Sequence, residues 1–226
     1  AGSGQWRLWV HIADVSHYVK PGTALDTEAR RRGNSTYLVD RVIPMLPEAL
    51  SNELCSLKPG VDRLTKCVEF LIADDGRVLQ ARFHQAVIHS QRRFTYQEAL
   101  AVLKGRANGP LERMLQNASA LAQKIRRRRF KNGALALDFP ETKIRLDDQG
   151  RVARIERVDN DISHQLIEEF MLLANRTVAE HVSEITVKNK PVPFPYRVHD
   201  VPDEEKLKLF ATFAARYGHK FSMHTP

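Results

Sequence analysis

An α+β fold, with mixed, largely antiparallel strands and packed helices, is what this 226-residue sequence predicts. Three observations carry that expectation. Arg63 to Ala73 and Arg77 to His89 both alternate, and Asp74-Asp75-Gly76 lies between them. That is a hairpin signal, because glycine supplies the positive φ that a tight turn needs. A shorter pair follows, Lys143 to Leu146 and Val152 to Val158, around a turn at Asp148 to Gly150. Beside the hairpins run two long helical patterns with apolar stripes, and hairpins grouped with helices indicate α+β. No internal repeat and no interdomain linker is visible, so the pattern reads as one domain.

The elements follow in order. Arg7 to Val15 is rich in Trp, Val and Ile and alternates loosely, a strand. Thr23 to Arg32 reads as a short helix, with Thr23 as N-cap and Gly33 just past its end. Tyr37 to Ile43 reads as a strand stopped by Pro44, and Ser51 as the cap of a helical turn through Leu57. After the long hairpin, Thr95-Tyr96-Gln97-Glu98 is a capping box opening a helix to Lys104. The segment from Gly105 to Gly109 is a break. Pro110 then starts a longer helix with Leu111, Met114, Leu115, Ala118, Leu121, Ala122 and Ile125 on one face, and Gly133 beyond its end. The longest helix runs from about Ile162 to Ser183. Its wide stripe from Leu166 to Val182 predicts a largely buried element. Lys188 to Pro195 reads as a Pro-rich connection and Arg197 to His199 as a short strand. Asp203 caps a last helix to Tyr217, with Gly218 as its stop.

Composition narrows the function. Apolar residues at 42% and charged residues at 27% are ordinary for a globular chain, which excludes disorder, collagen and low-complexity fibres. No apolar run approaches the roughly 18 residues of a membrane span. No basic-then-apolar leader opens the chain. Cys55 and Cys67 cannot build a disulfide framework and match no zinc spacing, so a reducing cytosol, a cytoplasmic location, is expected. The net charge of +8 favours polyanionic partners, nucleic acid first. The chain opens at Ala1 rather than Met and closes just after a helical pattern, so both ends read as cuts in a longer protein.

Several constellations carry chemistry, each with a plainer reading beside it. Lys124, Arg126, Arg127, Arg128, Arg129 and Lys131 form the densest basic run: a phosphate-binding edge, or a solvated helix end complementing the dipole. Arg30, Arg31 and Arg32 pose the same choice. His164 and Glu168 lie one helical turn apart, with Glu169 following, as either a metal pair or a salt-linked helix surface. Asp159-Asn160-Asp161 precedes that helix, and capping explains it better than metal binding. Tyr37 and Tyr96 are each a stacking platform for a base or a core-edge tyrosine with a wet hydroxyl.

Other stretches are more specific. They are His11-Ile12-Ala13-Asp14-Val15-Ser16-His17-Tyr18-Val19, then Arg41-Val42-Ile43-Pro44-Met45-Leu46-Pro47 with Leu50-Ser51-Asn52-Glu53-Leu54-Cys55-Ser56-Leu57. Gln165-Leu166-Ile167-Glu168-Glu169-Phe170-Met171 with Ala174-Asn175, and Arg197-Val198-His199-Asp200 with Pro202, complete the set. In this order and spacing they resemble the catalytic (RNB) domain of the ribonuclease II and ribonuclease R family, nearer the ribonuclease R branch. The resemblance runs from about Trp6 to Gly218. It implies that residues 1–226 are the N-terminal and central part of an RNB domain, truncated at both ends, with helices lining an RNA channel.

The resemblance also implies a processive 3′-to-5′ exoribonuclease that hydrolyses single-stranded RNA to nucleoside 5′-monophosphates with Mg²⁺ held by aspartates. Tyr37 matches the aromatic that stacks on the 3′-terminal nucleotide. Tyr96 and Glu168 match residues linked to choosing RNA over DNA, and a carboxylate can accept a hydrogen bond from a 2′-hydroxyl that DNA lacks. Leu137 stands where several members carry a phenylalanine on the opposite side of the terminal base, with Phe139 two residues on. The family's paired aspartates would lie upstream of Ala1, and its Thr-Ser-Pro-Ile-Arg-Arg segment after Pro226. No catalytic residue and no metal ligand is therefore expected within the chain, since Asp14 alone makes no metal centre. The expectation is an RNA-binding segment inactive by itself. The alternative is a non-catalytic RNA-binding module derived from the same fold.

Overall fold

The computed structural model describes residues 4–136, 141–198 and 200–222. The chain divides into two compact units, Ala1–Val178 and Ala179–Pro226.

In the first unit, β1 (Gln5–Ala13) pairs antiparallel with β4 (Asp62–Ala73), and β4 with β5 (Val78–His89), so β4 is the centre of a three-stranded sheet. The registers Val10↔Val68 and Phe70↔Ala81 align one apolar face. Against it pack α4 (Pro110–Lys131) and α5 (Ile162–Glu184). Val10, Val68, Phe70 and Ile72 from the sheet meet Leu121, Ala122 and Ile125 from α4 and Leu166, Phe170 and Ala174 from α5. The turn joining β4 to β5 presses on α4. Gly76 has φ +84°, and a Cβ there would lie 3.0 Å from the carbonyl carbon and oxygen of Lys124. Glycine is needed both for the dihedral and for the approach.

Between β1 and β4 come α1 (Val15–Tyr18), α2 (Ala24–Arg32) and the small ladder of β2 (Thr36–Tyr37) with β3 (Val42–Ile43). The Thr23 side chain accepts from the Asp26 amide as the expected N-cap. The single strand expected over Tyr37 to Ile43 is instead a hairpin, because Leu38 N donates to the Arg41 carbonyl and folds the segment on itself. The helical turn expected to start at Ser51 is a π-helical turn, Ala49–Leu54. Ser51 sits inside it, and both Leu50 N and Ser51 N donate to the Pro47 carbonyl. Asp14 falls just beyond β1 rather than on it.

Next come α3 (Tyr96–Lys104) and the hairpin of β6 (Glu141–Leu146) with β7 (Val152–Val158). The capping box at Thr95 and Glu98 is formed in both directions. Gln116 of α4 ties down the end of α3, donating through Nε2 to the carbonyls of Val102 and Gly105 at 3.2 Å each. All named ladders are antiparallel, and the fold is the expected α+β. The core stripes are narrower than their sequence patterns. Met114 of α4 and Ile167 of α5 stay exposed, so each helix is buried along a narrower line than its stripe.

The second unit holds β8 (Thr186–Val187), β9 (Lys190–Pro191) and α6 (Glu204–Arg216). Lys188 and Asn189, at φ 52° and 61°, form the two-residue turn of a hairpin inside what the sequence suggested was a Pro-rich connection. A turn with both residues left-handed suits the strand twist, but Lys-Asn lacks the usual glycine. Arg197 and Val198 form no strand, and His199 lies outside the described residues. Asp203 caps α6 as expected, its Oδ1 accepting from Glu205 N and Lys206 N.

Candidate nucleic-acid interface

Two helix starts meet in the first unit. Tyr96 is the first residue of α3, and the capping box fixes the backbone there. Asp161 directly precedes α5, and its Oδ1 accepts from Ser163 N at 2.8 Å, Ser163 Oγ at 2.6 Å and His164 Nδ1 at 3.1 Å. The Tyr96 and His164 rings stack, with centroids 3.9 Å apart and planes 14° from parallel. Glu168 is one turn further along α5, on the face that carries His164. Burial works against the Asp161 charge, but the hydrogen bonds from Ser163 and His164 outweigh it and hold the carboxyl at about 2.

Glu168 and Glu169 are neighbours with different surroundings. Glu169 is 1% exposed. Its Oε1 accepts from Arg126 Nη1 at 2.9 Å and Arg129 Nη2 at 2.6 Å, and its Oε2 from Arg129 Nε at 3.1 Å. Glu168 sits at the margin of that cluster, 3.9 Å from Arg126 and 3.6 Å from Arg129, with Asn160 Nδ2 donating at 3.3 Å. Glu169 is a structural clamp between α4 and α5, whereas Glu168 keeps solvent access and lone pairs for a further donor.

The arginine run is thus split by the helix. Arg126 and Arg129, three residues apart, turn inward to Glu169, while Arg128 approaches Asp75 at 3.5 Å and Lys124 pairs with Asp74. Neither a uniform phosphate edge nor a uniformly solvated end describes it. Arg30, Arg31 and Arg32 are salt-linked along their own helix, to Asp26 and Glu28, and the paired arginines pull the Glu28 carboxyl down to about 2.

Tyr37 stands apart on the β2–β3 hairpin, 77% exposed. Among the described residues no ring stacks on it, and no hydrogen bond or ring contact joins it to Tyr96 or Glu168. Leu137 and Phe139 lie outside the described residues.

Asp14 is buried and already engaged. Ser16 Oγ donates to its Oδ1 at 2.5 Å, Lys66 Nζ lies 3.1 Å from Oδ2, and the Ser16 bond leads the causes that lower its pKa. His164 pairs with Asp161 rather than Glu168, so the metal pairing considered for His164 and Glu168 is not what the fold assembles. Among the described residues no group of three or more His, Cys, Asp or Glu side chains could hold a metal ion. The described residues do not fit a Mg²⁺ centre.

Sequence reasoning missed the Tyr96–His164 stack and the double arginine clamp on Glu169. The clamp had a visible signal in the Arg126/Arg129 spacing. The stack had none, since it joins two helices distant in sequence.

The geometry meets its relatives at this point. The RNB domain model matches residues 2–225. The chain belongs to the RNB domain family. Ribonuclease R of Thermotoga maritima is 43% identical over 229 residues, which cover 96% of this chain and 32% of the relative. The structure of Mycoplasma genitalium RNase R in complex with ribose methylated single-stranded RNA superposes with a TM-score of 0.87 at 33% identity, over 97% of this chain and 35% of that one. Yeast Ssd1, a pseudonuclease, shares the fold at a TM-score of 0.75 and 20% identity, over 99% of this chain and 27% of that one. The chain spans about a third of the length of the two ribonuclease R relatives. RNB exoribonucleases are generally dependent on a divalent metal. No helix among the described residues is long and apolar enough to cross a membrane.

Proposed function

We propose that this chain is the RNA-binding portion of a 3′-to-5′ exoribonuclease that processively hydrolyses single-stranded RNA to nucleoside 5′-monophosphates. The observation that supports it most is the end-to-end match to an RNase R whose structure holds single-stranded RNA. In this reading Tyr37 offers an open ring to the 3′-terminal base, since base stacking needs a free π-face. Glu168 accepts a hydrogen bond from a ribose 2′-hydroxyl beside Tyr96, which makes the site prefer RNA. Leu137 packs on the opposite side of the terminal base in the same scheme. The basic surplus supplies sequence-independent attraction to phosphates along an RNA channel. Mg²⁺ would supply the hydrolytic step in the whole enzyme, and these residues do not form its site. A cytoplasmic location fits two free thiols, Cys55 and Cys67.

The test uses the 226-residue chain with 5′-labelled single-stranded RNA, a matched DNA strand and Mg²⁺, scored for binding and for products. RNA-preferring binding without shortening is expected. Stepwise shortening from the 3′ end would show that the chain holds a complete catalytic centre and overturn the assignment as a binding portion. The second reading is a non-catalytic RNA-binding module, favoured by the fold shared with a pseudonuclease. Reading the gene around this segment separates them: a cluster of aspartates means an enzyme, and substituted aspartates mean a binding module.

A further inference from the structure

One face of the Tyr96 ring is covered by this chain's own His164, at 3.9 Å between centroids and 14° between planes. Two rings packed flat at this distance are in van der Waals contact across their faces, and tilting either ring loses that contact. The imidazole is itself held. Its Nδ1 lies 3.1 Å from Asp161 Oδ1. Burial disfavours the Asp161 charge, but the bonds from Ser163 and His164 keep the carboxyl ionised at neutral pH. An ionised carboxylate only accepts, so His164 Nδ1 carries the proton and donates it to this bond. Asp161 is in turn fixed by Ser163 N and Oγ at the start of α5.

Tyr96 has need of such a support. It is the first residue of α3 and 49% exposed, so its backbone is set by the Thr95 cap while its side chain has room to turn. An unsupported side chain would lose rotamer freedom when a ligand ordered it, and that loss weakens binding. Glu168 shares a half-buried face of α5 with His164, one turn away. A ring stacked on His164 therefore has its plane set relative to the Glu168 carboxylate.

We infer that His164 is a positioning residue: stacked on Tyr96 and anchored to Asp161, it fixes the Tyr96 ring beside Glu168 and so sets the preference of the site for ribose over deoxyribose. The inference rests on the reading of Tyr96 and Glu168 as ribose-sensing residues. It predicts that the flat aromatic face at position 164 carries most of the effect and the bond to Asp161 the smaller part.

The experiment titrates the 226-residue chain with labelled single-stranded RNA and with DNA of the same sequence, and takes the ratio of affinities. The variants are His164→Ala, His164→Gln, His164→Phe and Tyr96→Ala, each with its thermal unfolding midpoint. His164→Ala and His164→Gln are expected to lower the RNA-over-DNA ratio about three- to tenfold, and His164→Phe to keep it within about twofold of the wild type, because only phenylalanine retains the stack. The ratio should follow the ring and not the unfolding midpoint, which separates positioning from a merely structural role. If Tyr96→Ala lowers the ratio and His164→Ala does not, the ribose reading stands and the inference falls. A His164→Phe ratio as low as that of His164→Ala also overturns it, since the stack would then be irrelevant. If Tyr96→Ala leaves the ratio at its wild-type value, the ribose reading falls and takes the inference with it. Should His164→Ala fail to fold, the contrast between His164→Phe and His164→Gln decides alone.

Discussion

Tyr37 and Tyr96 are both aromatic candidates for RNA contact, yet the molecule treats them in opposite ways. Tyr96 is locked in by a capping box beneath it, an imidazole across its face and an arginine–glutamate clamp behind the helix that carries that imidazole. Tyr37 stands on a hairpin of two-residue strands, with its ring in solvent. The difference teaches a division of labour. A free ring can settle on any base and suits affinity without choice. A fixed ring holds one geometry and suits discrimination, because selectivity requires the wrong ligand to meet groups that do not yield.

The comparison breaks most sharply at Glu169. Replacing it by alanine leaves Arg126 and Arg129 facing each other over a buried gap. Both arginines retain some water contact, so the cost should fall somewhat below that of a fully buried pair, at about 2–4 kcal/mol. Urea unfolding reads that loss. The RNA-over-DNA ratio should fall with it, because the clamp seats the α5 face that bears Glu168. Retained stability would show that α4 and α5 do not depend on the clamp.

Tyr37→Ala tests the other side. It should weaken RNA and DNA binding together by about 1–3 kcal/mol, the usual worth of a base–aromatic stack. Stability should stay within about 0.5 kcal/mol of the wild type, as for other exposed substitutions. An RNA-specific loss would assign Tyr37 the selective role instead.

The smallest effect is a pH effect. The folded Asp161 carboxyl titrates near 2, below its ordinary 3.8. Between those values the unfolded chain binds more protons than the folded one, so stability falls as pH falls. The contribution of Asp161 is fully present above about pH 4 and fades toward pH 2. Asp161→Asn should therefore flatten part of the acid limb of an unfolding curve recorded from pH 5 to pH 2. An unchanged limb would assign acid sensitivity to other carboxylates, Asp14 and Glu28 among them.

Much of the scaffold could be read from local patterns. The Thr95 capping box, the Asp74-Asp75-Gly76 turn and the Asp203 cap follow from neighbours a few residues apart, and all three are present. The π-helical turn at Ala49–Leu54 was not legible, because the Pro47 carbonyl accepts from Leu50 N and Ser51 N and starts the turn ahead of Ser51, which then lies inside it instead of capping it. The Lys188-Asn189 turn lacked its glycine signal. The candidate site was legible only through family motifs. Glu168 and Glu169 look alike in the sequence. What distinguishes them is which one α4 faces, and that depends on packing that no local window contains. The same holds for the Tyr96–His164 pair.

That pair has one more consequence. A ring has two faces, and His164 has taken one of Tyr96's, so a planar ligand finds a single open side. Anything that piles up there must stop at the protein. The tyrosine is then a shelf with one usable side, level before anything is set on it.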